Sequence, residues 1–140
     1  MYLEMAYIVG MERATTTCEP TDDGVNVVGN EVLAAMSRGG HPTVPRQVKV
    51  FFFETDDGFE KGCCDVVGNS AVIRVSTRNG DGSAMATSHI VEFLAHELCH
   101  AFDGLEFDFS AQYAERRQEK LARRIGAKVA RRFRRKRFTL

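Results

Sequence analysis

Residues that mark several common classes of protein are scarce in this chain of 140 residues. It contains no tryptophan, three prolines, four cysteines and four histidines. The cysteines show no C-x-x-C spacing and are too few for a disulfide scaffold, and the adjacent Cys63 and Cys64 suit neither a disulfide nor a pair of metal ligands. We therefore expect reduced thiols in a cytoplasmic protein.

Long hydrophobic runs are absent as well. No stretch approaches the roughly 20 apolar residues that a membrane-spanning helix needs. Residues 1–5 carry an acid where a signal peptide has a basic region. The hydrophobic fraction of 44% and the charged fraction of 27% are ordinary for a globular protein. We expect residues 1–130 to form a single domain and residues 131–140 to form a basic C-terminal tail.

Opposite charges are separated along the chain, although the net charge is zero. Residues 1–115 contain 7 Lys and Arg against 18 Asp and Glu, whereas residues 116–140 contain 12 against 1. This separation indicates either a charged partner or one part of the chain packing on the other. The cationic run Arg131–Arg137 is typical of segments that bind nucleic acid or an acidic partner. A solvated helix end that complements the helix dipole explains it equally well.

The spacing of apolar residues predicts a fold of class α+β. The predicted elements are a turn at 21–24, a short helix at 27–38, strands at 47–54, 61–67 and 69–77, and helices at 88–102 and about 111–133. Residues 2–8 fit either a short helix or an edge strand. Three strands followed by two helices predict helices packed on one face of a small mixed or antiparallel sheet.

The helix predicted at 88–102 carries the most informative motif, His96-Glu97-Leu98-Cys99-His100. Thr87 or Ser88 is its predicted N-cap, and Gly104 follows its last apolar residue, as a terminating glycine does. Side chains four positions apart project from the same face of a helix, so both imidazoles can reach one ion. Because the helix is otherwise apolar, its buried polar groups need partners, which a metal ion or ordinary hydrogen bonds would supply.

This His-Glu-x-x-His spacing predicts a catalytic zinc site, in which His96 and His100 bind Zn²⁺ and Glu97 acts as general base. Cys99 lies about 100° away around the helix and is expected to pack rather than ligate. Catalytic zinc normally has three protein ligands and one water, so another side chain is required. A purely structural zinc ion is less consistent with the sequence, because structural sites usually close with Cys or His.

Downstream residues resemble those of the gluzincins, the His-Glu-x-x-His peptidases whose third ligand is a glutamate on the next helix, within E-x-x-A-D-x-x-G. Glu119, Ala122 and Gly126 match that pattern, whereas Arg123 replaces its aspartate. The resemblance implies that Glu119 is the third ligand, on a helix that Ser110 would cap. Glu115 is an alternative, and so is Glu106, which occupies the third-ligand position of the metzincin pattern. In place of the aspartate of that pattern, Asp103, Glu92 or a backbone carbonyl could orient a ligand histidine.

The resemblance covers residues 88–126 and implies a small zincin-like domain of the minigluzincin or ImmA/IrrE-like kind. It further implies a zinc metallopeptidase that hydrolyses peptide bonds of a peptide or protein substrate. His89 and Tyr113 are candidates for stabilising the oxyanion, and each has an alternative role in helix capping or packing. The substrate would lie along the strand before the motif helix, at Asn69, Ser70, Ala71 and Val72. A zincin scaffold that binds metal and nucleic acid or protein without cleaving is the alternative function.

Overall fold

The computed structural model describes residues 5–8, 22–53, 62–109, 112 and 116–140, with the backbone alone described at 5–8 and 22. In chain order the elements are β1 (Met5–Ile8), α1 (Asp22–Arg38), β2 (Gln47–Phe53), β3 (Gly62–Val67), β4 (Ser70–Ser76), α2 (Thr87–Phe102) and α3 (Arg117–Arg134). The predicted α+β architecture is confirmed. Of the two alternatives for residues 2–8, the structure contains the edge strand.

The four strands form one mixed sheet in the order β1-β2-β4-β3. Strands β1, β2 and β4 run parallel, and β3 runs antiparallel to β4. The short turn between β3 and β4 contains Gly68 at φ +59°, a backbone conformation that glycine adopts without a Cβ clash. In the strand order of the described residues, β3 rather than β4 lies at an edge of the sheet.

One face of the sheet is buried against the helices. Alternate residues of two central strands are fully or almost fully buried, namely Val48, Val50 and Phe52 on β2 and Ala71, Ile73 and Val75 on β4. This period of two is expected for a sheet with one covered face. Helix α2 packs on β3, β4, α1 and α3, so the motif helix lies at the centre of the core. Among the described helices, none combines the length and apolarity needed to cross a membrane.

The C-terminal end of α2 is held by the chain that connects α1 to β2. Arg46 donates from Nη1 to the Ala101 carbonyl at 2.6 Å and from Nε to the Gly68 carbonyl at 3.2 Å. The amide of Val44 donates to the Phe102 carbonyl at 3.0 Å. These bonds satisfy carbonyls that have no partner within the helix, and Arg46 also ties α2 to the β3–β4 turn.

Both predicted ends of α2 were wrong in detail. Its N-cap is Ala86, which makes no side-chain cap, and Thr87 lies inside the helix. Asp103 at the C-cap is extended, at φ −63° and ψ 120°, and Gly104 is not among the glycines with positive φ. Instead, a Cβ on Gly104 would lie 3.0 Å from the Pro42 carbonyl oxygen. A glycine is therefore needed here for close backbone approach.

Helix α1 begins earlier than predicted, and α3 begins later. The predicted turn at 21–24 lies largely within α1, because Val25, Val28 and Val32 form a fully buried stripe at helical spacing. Helix α3 was predicted from about residue 111 but begins at Arg117, and Gln112 is not helical. A carboxylate oxygen of Asp108 accepts from the Arg117 amide at 2.6 Å, which caps the helix at that point. Ser110, the predicted cap, lies outside the described residues.

Helix α3 continues through the predicted boundary at residue 130 and ends at Arg134. Beyond it, the Phe138 ring lies 5.7 Å from the Phe133 ring, and both pack against the core. Arg132 donates to Glu31 on α1 at 2.6 Å. Part of the basic segment therefore packs on the rest of the chain. The division into residues 1–130 and 131–140 stays a prediction.

Candidate metal centre and cleft

The two motif histidines lie one turn apart on the face of α2 that meets α3. Their ring centroids are 5.0 Å apart, with an angle of 69° between the planes. The remaining faces of α2 carry core residues, including Leu94, Leu98 and Cys99. Cys99 is buried among apolar neighbours, as expected, and burial raises its pKa to about 12. It is therefore a neutral thiol, unsuited to binding a metal.

Glu119, in the first turn of α3, spans both imidazoles with its carboxylate. Its Oε1 lies 3.0 Å from His96 Nε2, and its Oε2 lies 3.1 Å from His100 Nε2. The residue is only 6% exposed, so the carboxylate is directed into the helix interface. The structure thus brings Glu119 to the two histidines, whereas Glu115, one of the alternatives, lies outside the described residues.

The donor set fits a catalytic zinc ion. Bonds of about 2.0–2.1 Å in a tetrahedral arrangement separate neighbouring ligand atoms by roughly 3.3 Å. The observed separations of 3.0 and 3.1 Å between imidazole nitrogens and carboxylate oxygens approach that value. Burial lowers the pKa of His96, with the charges of His100 and Arg123 acting in the same direction and Glu119 opposing them. A lowered pKa favours the neutral imidazole, which is the form that ligates.

Arg123 occupies the position of the family aspartate and contacts Glu119 directly. Its Nε lies 3.6 Å from Glu119 Oε1, and its side chain is about half exposed. The Arg123 cation therefore lies beside Glu119, at the position where the gluzincin pattern has an aspartate. Asp103, the predicted substitute, bonds elsewhere: to His41 Nε2 at 3.1 Å and to Arg117 Nη1 at 3.3 Å. Its predicted role in orienting a ligand histidine stays a prediction.

Gly126 allows α2 and α3 to approach closely beside the candidate metal centre. A Cβ at this position would lie 2.9 Å from the Glu92 carbonyl oxygen and 3.4 Å from His96 Cβ. The distance from this Cβ to the Glu92 oxygen is shorter than the contacts that real Cβ atoms make, and the oxygen belongs to rigid helix backbone. A side chain at residue 126 must therefore push the helices apart near His96.

We expect Gly126→Ala to destabilise the protein by about 1–3 kcal/mol through overpacking, despite the higher helix propensity of alanine. Denaturant unfolding measures this change, and zinc titration should show weaker binding as Glu119 moves away from His96. Gly39→Ala is the matched control, because its Cβ would meet Met36 O at an ordinary 3.6 Å. Equal stability of the two variants would contradict the proposed constraint.

Glu97 follows the first histidine and faces a cleft rather than the core. It is 8% exposed, and its potential ligand atom lies within 4.8 Å of those of His96 and His100. A Cβ on Gly62 of β3 would lie 3.2 Å from Glu97 Oε2, so the absence of a side chain there leaves room for the carboxylate. Burial raises the pKa of the Cys64 thiol to about 12, and the negative charge of Glu97 acts in the same direction.

A cleft of roughly 540 Å³ opens above these residues. We call residues 104–109 the cleft loop. The cleft is lined by residues of β3, α2, the cleft loop and the start of α3, together with two residues from other connections, namely Gly62, Cys63, Cys64, Val66, Glu97, His100, Leu105, Phe107, Arg116, Gln118, Glu119, Arg46 and Asp103. The candidate metal centre therefore lies where an extended ligand would meet the edge strand of the sheet.

Several predicted site residues lie elsewhere. His89 is exposed in the first turn of α2 and does not line the cleft, so the structure gives it no place at the oxyanion. Glu106 is exposed, and its backbone carbonyl accepts hydrogen bonds from the side chains of Arg117 and Gln118. Tyr113 and Glu115 lie outside the described residues.

The predicted substrate strand is wrong in position. Ser70, Ala71 and Val72 pair with β2 on one side and with β3 on the other, so β4 cannot accept an added strand there. The carbonyl of Asn69 accepts from the Gln47 amide at 2.9 Å. The sequence shows which segments are strands but not which one is at the edge, because that depends on the order of the strands in the sheet.

The sequence motifs did not mark most of the cleft lining, including Arg46, Gly62 and Gln118. No local pattern marks Arg46 or Gly62, since both reach the site through packing between distant segments. Gln118 precedes Glu119 in sequence, and that adjacency was the one available signal.

Comparison with known proteins supports the fold. No protein-family model and no curated protein matches the chain. The structure of Wss1 from Saccharomyces cerevisiae is similar, with a TM-score of 0.52 and 12% identity over 96% of each chain. A Wss1 mutant from the same organism has a TM-score of 0.51 and 10% identity, covering 99% of this chain and 100% of the other. At such identities the similarity concerns the fold alone, and it confirms the predicted α+β architecture of helices packed on a small mixed sheet.

Proposed function

We propose that this chain is a zinc-dependent metallopeptidase with a gluzincin-type ligand set. The observation that carries the proposal is the Glu119 carboxylate, which lies 3.0 and 3.1 Å from the two motif imidazoles. Two imidazoles and one carboxylate are a common ligand set of catalytic zinc in peptidases. The open cleft beside them supports a catalytic rather than a structural role.

In this proposal His96, His100 and Glu119 hold the ion. A bound zinc ion would activate a water molecule and polarise the substrate carbonyl. Glu97 takes a proton from the attacking water on its carboxylate and delivers it to the amine that leaves. Its burial, its position beside His96 and the room left by Gly62 all suit that transfer. No oxyanion donor is assigned among the described residues.

The substrate would be a peptide in extended conformation lying along β3. This strand forms the edge of the sheet, lines the cleft and begins beside Glu97 at Gly62. An edge strand supplies backbone groups at regular spacing, which allows recognition of a peptide backbone without regard to most of its side chains. The proposed substrate strand is therefore β3, in place of the predicted β4.

A non-cleaving module that binds metal together with nucleic acid or protein is the second candidate. Its support is the exposed cationic cluster at Arg131 and residues 134–137. Such a cluster attracts polyanions with an affinity that falls steeply with salt. Retention of Glu97 favours hydrolysis, because a binding module has no use for a general base. Recruitment to an acidic partner and a cytoplasmic location stay predictions.

Metal removal and reconstitution test the function. We expect the purified protein to bind one zinc ion and to cleave members of a decapeptide library, detected by mass spectrometry. Chelation should abolish cleavage and lower the melting temperature, and added zinc should restore both, since a ligand present at 100 times its Kd stabilises by about 2.7 kcal/mol. Zinc-loaded protein that cleaves nothing, or cleavage that persists without metal, would refute the proposal.

A further inference from the structure

The Glu119 carboxylate holds a negative charge inside the interface between α2 and α3. Its side chain is 8% exposed, and both of its oxygens face imidazole nitrogens. Taking a carboxylate out of water is costly unless hydrogen-bond donors and an opposite charge compensate. A neutral imidazole donates one N–H, which supplies a hydrogen bond but no charge. A nearby cation therefore stabilises Glu119, and a bound metal ion is one source of that charge.

Arg123 is a second source of positive charge, one helical turn after Glu119. Its Nε lies 3.6 Å from Glu119 Oε1, the oxygen that also lies 3.0 Å from His96 Nε2. A guanidinium is always charged in proteins, and a glutamate four residues before an arginine is the favourable order on a helix. When no ion is bound, Arg123 therefore stabilises the buried carboxylate.

A bound zinc ion reverses the effect of Arg123 on the site. An ion held by Glu119 adds two positive charges beside the same carboxylate, and the repulsion between a unit charge and a dication is twice that between unit charges. Arg123 and the ion also compete for Glu119 Oε1. At this position the gluzincin pattern has an aspartate, whose negative charge attracts the ion. The charge next to the proposed third ligand therefore has the opposite sign in this chain.

The backbone that carries Arg123 is fixed beside the candidate metal centre. Ala122 is fully buried, and Gly126 brings α3 so close to α2 that a Cβ there would lie 2.9 Å from the Glu92 carbonyl oxygen. The side chain of Arg123 is 51% exposed, so solvent screens its charge and the side chain can turn away when an ion binds. We therefore expect a modest effect of Arg123 on zinc affinity, about three- to tenfold.

We infer that Arg123 sets how readily the site releases zinc, because it stabilises the Glu119 carboxylate when no ion is bound and opposes the ion when one is bound. Arg123 is a positioning residue here, since it acts through Glu119 and transfers no proton. The inference rests on the zinc centre of the proposed function and adds a regulatory property to it. The chain stays folded without zinc, and the concentration of free zinc determines how much of it is active.

Thermal unfolding of the purified chain with and without zinc tests this role. Arg123→Gln should lower the melting temperature of chelator-treated protein by about 2–4 °C, because the buried carboxylate loses its cation. In saturating zinc the melting temperature should stay within about 1 °C of the wild-type value, since tighter zinc binding offsets that loss. Competition with a chelating dye should give a zinc dissociation constant about three- to tenfold lower than that of the wild type. A residue that only supports the fold would lower both melting temperatures equally.

Further variants separate the charge of Arg123 from its shape. Arg123→Lys keeps the charge and should bring the zinc dissociation constant to within about twofold of the wild type. Arg123→Asp introduces the charge of the gluzincin pattern and should lower the constant by roughly 10- to 100-fold. The difference between wild type and Arg123→Gln should shrink as the salt concentration rises from about 0.05 to 0.5 M. Arg124→Gln is the matched control, because Arg124 is also exposed but points about 100° away around α3, and it should leave the constant unchanged.

The outcomes separate the role of Arg123 from the proposed function. An unchanged or higher zinc dissociation constant in Arg123→Gln would overturn the inference, and so would an equal loss of stability with and without zinc. Zinc-dependent cleavage by the wild type in the same experiments would leave the peptidase intact. A wild-type protein that binds no zinc would overturn both.

Discussion

Replacing Glu97 with glutamine is expected to slow peptide hydrolysis by roughly 10²- to 10⁴-fold while the zinc content stays unchanged. An amide has nearly the shape of a carboxylate and fits the same space beside Gly62, but it cannot take a proton from water. The proposed metal ligands His96 and His100 keep their positions. Steady-state kinetics on a cleaved peptide and elemental analysis of the same sample measure the two effects.

Glu92→Gln is the matched control for this variant. Glu92 lies on the same helix, is partly buried and does not line the cleft, so its replacement should leave kcat/KM within about twofold. The two candidate functions also separate here. If the chain is a binding module, Glu97→Gln would change neither its affinity for a partner nor any other measured property. Hydrolysis at the wild-type rate by this variant would show that Glu97 is not the general base.

Replacing Glu119 with glutamine is expected to raise the dissociation constant for zinc by at least about 100-fold. Loss of a residue that merely supports a ligand already costs 10- to 100-fold in metal affinity, and a neutral amide oxygen is a weaker ligand than a carboxylate. Hydrolysis at low zinc should fall in parallel. Competition with a chelating dye measures the affinity directly.

Glu106→Gln tests the rival assignment of the third ligand. Glu106 is exposed, and the acid that contacts both histidines is Glu119, so replacing Glu106 should leave the zinc affinity unchanged. If Glu106→Gln instead loses zinc and Glu119→Gln retains it, the third ligand lies on the cleft loop rather than on α3. That result would exclude the gluzincin-type ligand set.

Local sequence patterns predicted the parts of this molecule that depend on neighbours along the chain. Helix α2 follows from its apolar spacing, and the side-by-side histidines follow from helix geometry alone. The placement of Glu119 was reached by a different route, from the need for a third ligand and the match of Glu119, Ala122 and Gly126 to a known pattern. In the structure the Glu119 carboxylate does contact both imidazoles.

Features that depend on distant segments were missed or misplaced. The start of α3 is set by Asp108, which caps the helix from a loop nine residues earlier. The edge position of β3 follows from the strand order, in which β4 pairs with the distant strand β2 on one side and with β3 on the other. The spacing of residues along the chain predicts none of these contacts between distant segments.

The two hydrogen bonds of Arg46 restrict movement of the strands beside the cleft. A single guanidinium bridges the last turn of α2 and the β3–β4 turn, so the helix that bears the histidines and the hairpin beside it are braced against each other. Such bracing disfavours an independent swing of the hairpin. We therefore expect the cleft between them to keep a nearly constant width, with no closing movement of the hairpin.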